Sequence, residues 1–212
     1  ERGRAVLASV PSATVFGIDG RQVTVEVHVT GGIPGFTIVG LPDTSVREAR
    51  DRVRAAMLSS GTSWPSKRIT VNLAPTGVPK VGASLDLAIA LGVLVADQQV
   101  PAARAADLAC FGELGLDGAI RPISGAIALA AARRNQPVVV PRDNYAEAAL
   151  IARDVRPVAH LRELLAVLVE GEPWPDPPPV TSDPMPVLEP DLAGVRGQPF
   201  ARAALEVAAA GG

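Results

Sequence analysis

The 212-residue chain sets 20 lysines and arginines against 22 acidic residues, a formal net charge of −2 that excludes a broadly basic nucleic-acid-coating surface. Hydrophobic residues make up 48% but aromatics only 3%, so a core has to be built from Val, Leu, Ile and Ala. One cysteine, Cys110, excludes an internal disulfide, no signal peptide opens the sequence and no apolar run reaches membrane-spanning length; the expectation is a soluble cytoplasmic protein with no membrane partner.

Residues 4–10 and 14–18 read as two short strands separated by Pro11 and Ser12. Asp19-Gly20 signals a tight turn, after which Val23, Val25, Val27 and Val29 alternate with Thr24, Glu26, His28 and Thr30, a hairpin with one wet face. Residues 36–39 make a further strand. Asp43 or Thr44 is placed to cap a helix whose buried stripe is Val46, Ala49, Val53, Ala56, Met57 and Ser60. Its other face carries Arg47, Glu48, Arg50, Asp51, Arg52 and Arg54, with Glu48 and Arg52 in the favourable i,i+4 order. Paired acids make this a solvated face, although such arginines can also grip phosphate.

Residues 67–96 organise the rest. Ile69, Val71 and Leu73 alternate with Thr70 and Asn72 as a half-buried strand, and Pro75, Gly77 and Pro79 punctuate a loop. From Leu85 to Val95 the sequence is apolar nearly all round, which predicts a helix in the middle of the core. Ser84 sits where a hydroxyl caps such a helix, and Asp86 falls in the first turn, where a negative charge suits the dipole.

Residues 109–116 and 119–123 flank Asp117-Gly118 as a second hairpin. An alanine-rich helix over 125–135, a buried strand at 137–141, a helix at 145–152, a strand at 155–158 and a helix at 161–170 complete the pattern. Hairpins mixed with helices predict an α+β fold with a mixed sheet rather than a regular βαβ series. The expected division is a domain over 1–170, a proline-rich linker over 171–190, and an alanine-rich helical segment within 191–212 that is too small to fold alone.

Ser84 is the serine whose setting suggests a nucleophile, and a nucleophile needs a base within reach. The bases on offer are Lys67, Lys80, His28 and His160: the lysines sit near strand and loop ends, where solvent keeps them charged, and the histidines lie on a strand and before a helix. A Ser–Lys peptidase using Ser84 with Lys80 or Lys67 is therefore one alternative, and a capping Ser84 the simpler reading. One cysteine and two distant histidines form no metal site, and the sequence holds no GxxxxGK[ST] phosphate loop.

Five segments resemble the YifB/ComM family of magnesium-chelatase-like AAA+ ATPases: GIPGFTIVGLPDTSVREARDRVRAAMLSSG at 32–61, KRITVNLAP at 67–75, SLDLAIALGVL at 84–94, FGELGLDGAIRPISG at 111–125 and DLAGVRGQPFARAALEVAAAGG at 191–212. The loop Pro79-Lys80-Val81-Gly82 departs from the family's charged RKEG type, and Leu85 replaces an aromatic. The resemblance implies that the first 170 residues form a domain similar to the proteolytic domain of Lon, and that the chain from Asp191 begins an AAA+ module truncated before its phosphate loop. Gly197 and Gln198 match the family's position beside adenine, so ATP and magnesium belong to the full-length parent and this chain should hold neither.

Lon-type proteases carry their serine in a PKDGPSAG-like loop, which residues 79–84 resemble, and their lysine after a PIGGLK-like turn. Residues 122–127 resemble that turn but place Ile127 at the lysine position, and isoleucine cannot take a proton. The resemblance thus implies a non-proteolytic accessory and assembly domain, with Ser84 vestigial and no catalytic residue. The implied parent is a homo-hexameric, ATP-dependent DNA-remodelling motor of branch-migration helicase type, the domain's partners being its own AAA+ module and neighbouring subunits. A DNA-contacting module using the helix Arg47–Arg54 is the remaining alternative.

Overall fold

The computed structural model describes residues 6–179 and 197–211. It divides into two units, Glu1–Pro179 and Val180–Gly212.

The first unit opens with a long antiparallel hairpin of β1 (Val6–Phe16) and β2 (Asp19–Thr30), paired without interruption from Val6↔Val29 to Phe16↔Asp19. The two short strands expected around Pro11 are therefore one. The four-stranded sheet has the order β1-β2-β4-β3, so β1 is an edge, where a ladder tolerates proline. The turn is Gly17-Ile18, with Gly17 at φ +63°, and not Asp19-Gly20. Gly20 has a different reason to be glycine: a Cβ there would lie 2.0 Å from the Ala128 carbonyl oxygen.

β3 (Gly35–Val39) runs parallel to β4 (Arg68–Ala74), joined to it by helix α1 (Thr44–Ser59). Asp43 caps α1, its Oδ1 accepting from the Val46 amide at 2.8 Å. Val46, Ala49, Val53, Ala56 and Met57 are buried, as their spacing requires. Helix α2 (Asp86–Ala96) is buried at every position and packs on β1, β2 and α1. Gly92 lets it approach the sheet: a Cβ there would sit 2.5 Å from Val27 Cγ2. Val23, Val25, Val27, Ile69, Val71 and Leu73 on the sheet share one buried cluster with α2, so this core is aliphatic.

After α3 (Ala102–Ala105), the expected long hairpin is split. β5 (Ala109–Cys110) pairs parallel with β8 (Val138–Pro141), which pairs parallel with β9 (Val155–Val158). β6 (Glu113–Leu114) and β7 (Ile120–Arg121) form their own antiparallel pair. The break falls at Gly112, whose amide donates to the Ser84 carbonyl and whose carbonyl accepts from the Leu87 amide. The ladder gives way there to contacts with the start of α2. Helices α4 (Ala126–Ala132) and α5 (Tyr145–Ala149) cross over within the parallel sheet, so part of this mixed α+β unit does follow βαβ logic.

α6 (Leu161–Leu165) continues into a π-helical turn over Ala166–Glu170 and stops at Gly171, φ +82°. Residues 171–179, the start of the expected proline-rich linker, fall in the first unit. Trp174 is half-buried against the core with the Arg156 guanidinium 4.7 Å from its ring, and Arg142 Nη1 donates to the Asp176 carbonyl at 3.1 Å. In the second unit the described structure is helix α7 (Pro199–Ala209), with proline in its first turn and no buried residue. Residues 180–196, including the start of the expected helical segment, lie outside the described residues.

Candidate functional site

The loop from Pro75 to Gly82 leaves β4 and is pinned on two sides. Lys80 bridges to Pro42 in parallel fashion, its amide donating to the Leu41 carbonyl at 3.2 Å and its carbonyl accepting from the Asp43 amide at 3.0 Å. The Gly82 amide donates to Asp43 Oδ2 at 3.0 Å and the Val81 amide to Thr14 Oγ1 at 3.2 Å. Asp43 thus caps α1 with one oxygen and holds the loop with the other.

This pinning carries Ser84 into a cleft of about 580 Å³. Val15, Val81, Glu113, Ile123 and Ser124 are among the residues that share its wall. The loop and turn that resemble the Lon serine and lysine segments, far apart in sequence, therefore meet at one cleft. The two candidate partners of the serine do not follow. Lys80 has no exposed surface, is absent from the cleft wall, and donates its ammonium to the Pro75 carbonyl. This corrects the expectation of a solvated lysine: the Pro42 bridge folds the loop inward, and burial lowers the pKa of the amine. Lys67 is exposed and paired with Asp97 at 2.8 Å. Ile127 stands in the first turn of α4, 46% exposed and outside the cleft wall.

Ser84 does not cap α2. It lies in a single 3₁₀ turn, Ala83–Leu85; the N-cap of α2 is Leu85, and no side chain caps either element. The Leu87 amide is satisfied by Gly112, so tertiary backbone contact replaces part of what a cap would do. Among the described residues the Ser84 hydroxyl has no hydrogen-bond partner, and Ser84 lines the cleft while being 8% exposed.

Asp86 does more than suit the dipole. Its Oδ2 accepts from Arg52 Nε at 2.6 Å and from the Leu114 amide at 3.3 Å, and its Oδ1 from Arg52 Nη2 at 3.0 Å. Arg52 Nη2 also donates to the Ser45 carbonyl at 2.8 Å, and Glu48 is 3.7 Å away as the i,i+4 partner. Burial pushes the Asp86 carboxyl up to about 6, against the pull of Arg52 and the Leu114 amide, while Arg52 is raised by that same hydrogen bond. The sequence held a signal for this pair: one carboxylate on a helix otherwise apolar all round demands a cation.

The remaining candidates are structural. His160 caps α6, Nδ1 accepting from the Arg162 amide and Nε2–H donating to the Asp117 carbonyl, each at 3.0 Å. His28 is half-buried on the outer face of β2. Cys110 is fully buried and burial pushes its thiol up to about 12, so it is inert as a nucleophile. No group of three metal-ligating side chains occurs among the described residues, and no described helix is long and apolar enough to cross a membrane. Gly197, φ +75°, and Gln198 are exposed at the start of α7.

The family model described as subunit ChlI of Mg-chelatase matches residues 25–144, which include β3, β4, α1, α2 and the cleft residues from Val81 to Gly125 but not β1. The chain is 39% identical over 208 residues to the uncharacterized protein YifB of Escherichia coli, covering 97% of this chain and 41% of that one. It is 46% identical over 204 residues to an uncharacterized Mycobacterium tuberculosis protein, covering 94% and 40%. With the competence protein ComM of Haemophilus influenzae it shares 43% identity over 148 residues, covering 69% and 29%. The chain belongs to the magnesium-chelatase-like family of AAA+ proteins that includes YifB and ComM. It spans about two-fifths of the length of YifB and the mycobacterial relative.

Proposed function

We propose that the unit ending at Pro179 is a Lon-protease-like domain that has no proteolytic role and serves as an accessory and assembly element of a longer ATPase. The observation that carries this reading is that, among the described residues, no base hydrogen-bonds the Ser84 hydroxyl. Ser84 lines the cleft, while the Lys80 amine lies buried on the Pro75 carbonyl and the turn at 122–127 supplies Ile127. A hydroxyl without a base is a weak nucleophile. The parent binds ATP and magnesium in an AAA+ module that the segment from Asp191 begins, assembles as a homo-hexamer, and remodels DNA as a branch-migration motor. The relative named as a competence protein supports this choice of activity.

The test compares the wild-type chain with Ser84→Ala for casein cleavage and labelling by a serine-directed phosphonate, and the full-length parent with its Ser84→Ala variant for DNA-stimulated ATP hydrolysis. Neither chain should cleave or label, and both parents should hydrolyse ATP equally. Cleavage lost only in Ser84→Ala establishes the peptidase instead, and a parent without ATPase activity ends the motor reading.

A further inference from the structure

The arginine face of α1 is less neutralised than its sequence suggests. Arg52 alone is consumed, by Asp86 and Glu48; Arg50 and Arg54 make no ion pair among the described residues and are exposed. Both line a groove of about 200 Å³ whose lining also includes Phe36, Trp64 and Lys67. The Phe36 and Trp64 rings lie 5.7 Å apart at 37°, packed on the core from below and half-buried. The aromatic wall is therefore rigid. Lys67, although paired with Asp97, keeps about half of its side chain in solvent.

We propose that this groove binds single-stranded nucleic acid. Arg50 and Arg54 are one helical turn apart, about 6 Å along the axis, so their guanidiniums can take neighbouring phosphates of an unstacked strand. Trp64, with Phe36 behind it, offers a ring against which an unpaired base can stack, at a cost in rigidity the core has already met. A carboxylate-rich peptide would satisfy the arginines but leave the aromatic wall unused, which is why a nucleic acid is the better fit. The net charge of −2 limits binding to this local site and makes it dependent on salt. The proposal needs only the first unit and is independent of the motor reading.

The experiment uses the 212-residue chain carrying Trp174→Phe, which leaves Trp64 as its single tryptophan, and a fluorescein-labelled oligo(dT). Anisotropy at 50 mM salt should show saturable binding, with Trp64 fluorescence quenched in parallel. Arg50→Ala and Arg54→Ala should each weaken binding at least five-fold and lower the log–log salt slope by about 0.7, the value for one lost phosphate contact on a single strand. Arg47→Ala, on the same helix but outside the groove, should change it less than two-fold. Since all three arginines are exposed, the variants should melt with the parent chain, and circular dichroism checks this. Absent binding, binding indifferent to Arg50 and Arg54, equal loss in Arg47→Ala, duplex or polyglutamate bound as well as oligo(dT), or an unquenched Trp64 would each overturn the proposal.

Discussion

Arg52 on α1 holds Asp86 on α2 through two hydrogen bonds of 2.6 and 3.0 Å, and the carboxylate is 99% shielded while the arginine keeps a fifth of its side chain in solvent. The pair locks the half-exposed helix α1 onto α2, the helix at the centre of the core, and the Leu114 amide ties β6 to the same oxygen that Arg52 Nε engages.

Removing Arg52 should therefore cost more than removing the pair. Arg52→Met strands a buried carboxylate and should destabilise by about 3–5 kcal/mol, whereas Arg52→Met with Asp86→Leu should recover much of that. Urea denaturation of the two variants decides it. If the double variant is no better than the single one, the carboxylate is not the source of the loss.

The same pair sets a pH dependence. Asp86 titrates near 6 in the folded chain against an ordinary carboxyl value near 3.8, so the folded state holds this proton more tightly than the unfolded one. The contribution of this group is full below the unfolded value and is lost as pH rises through 6. Relative to Asp86→Asn, the wild-type chain should gain stability on going from pH 7.5 to pH 4.5. Arg52→Met, lacking the opposing pull and left with Glu113 nearby, should gain more steeply. A wild-type minus Asp86→Asn difference that is flat with pH would contradict the assignment.

Lys80 carries the opposite sign. Burial lowers its folded pKa, so the unfolded chain binds the proton more readily and stability from this group rises with pH toward the ordinary lysine value. Lys80→Met keeps the volume, removes the buried charge, and should flatten the alkaline rise expected of the wild type as pH climbs toward the ordinary lysine value, between pH 8 and pH 10. Denaturant midpoints across that range test it, and an unchanged slope would mean that the amine is solvated.

Asp43 and Ser84 should separate in cost. Asp43→Ala loses both the α1 cap and the Gly82 contact, about 1–2 kcal/mol. Ser84→Ala removes a hydroxyl that caps nothing and should stay within about 0.5 kcal/mol. Thermal melts rank the two, and a Ser84→Ala loss as large as that of Asp43→Ala would restore the serine as a structural cap.

Gly20→Ala should destabilise by roughly 1–3 kcal/mol, since its Cβ would meet the Ala128 carbonyl and push α4 off the hairpin. Gly31→Ala, with open space around it, is the control and should be near neutral. Equal melting temperatures for both would show that α4 is not seated on β2.

Local sequence was enough to place β2, β3, β4, α1, α2, α4, β8, α5, β9 and α6, most plainly where a pattern is strong over an element's own length: alternation in Val23–Val29, a stripe in Val46–Met57, continuous apolarity in Leu85–Val95. The cap of α1 was legible from side-chain chemistry as Asp43 or Thr44, of which Asp43 is the one used, and family resemblance matched both the Ser84 loop and the turn at 122–127, which the structure brings to one cleft. Long-range contacts decided the rest. Pairing with β2 carried β1 straight through Pro11, Gly112 broke a continuous strand by bonding to the start of α2, and the Pro42 bridge turned Lys80 inward. Arg52 could be read from sequence as the partner of Glu48 four residues away, yet it spends its best hydrogen bonds on Asp86, 34 residues on. A sequence window records which residues are polar, apolar or charged. Which carbonyl, carboxylate or edge strand each one finally meets is settled only when the elements pack, because a buried polar group takes the nearest partner in space.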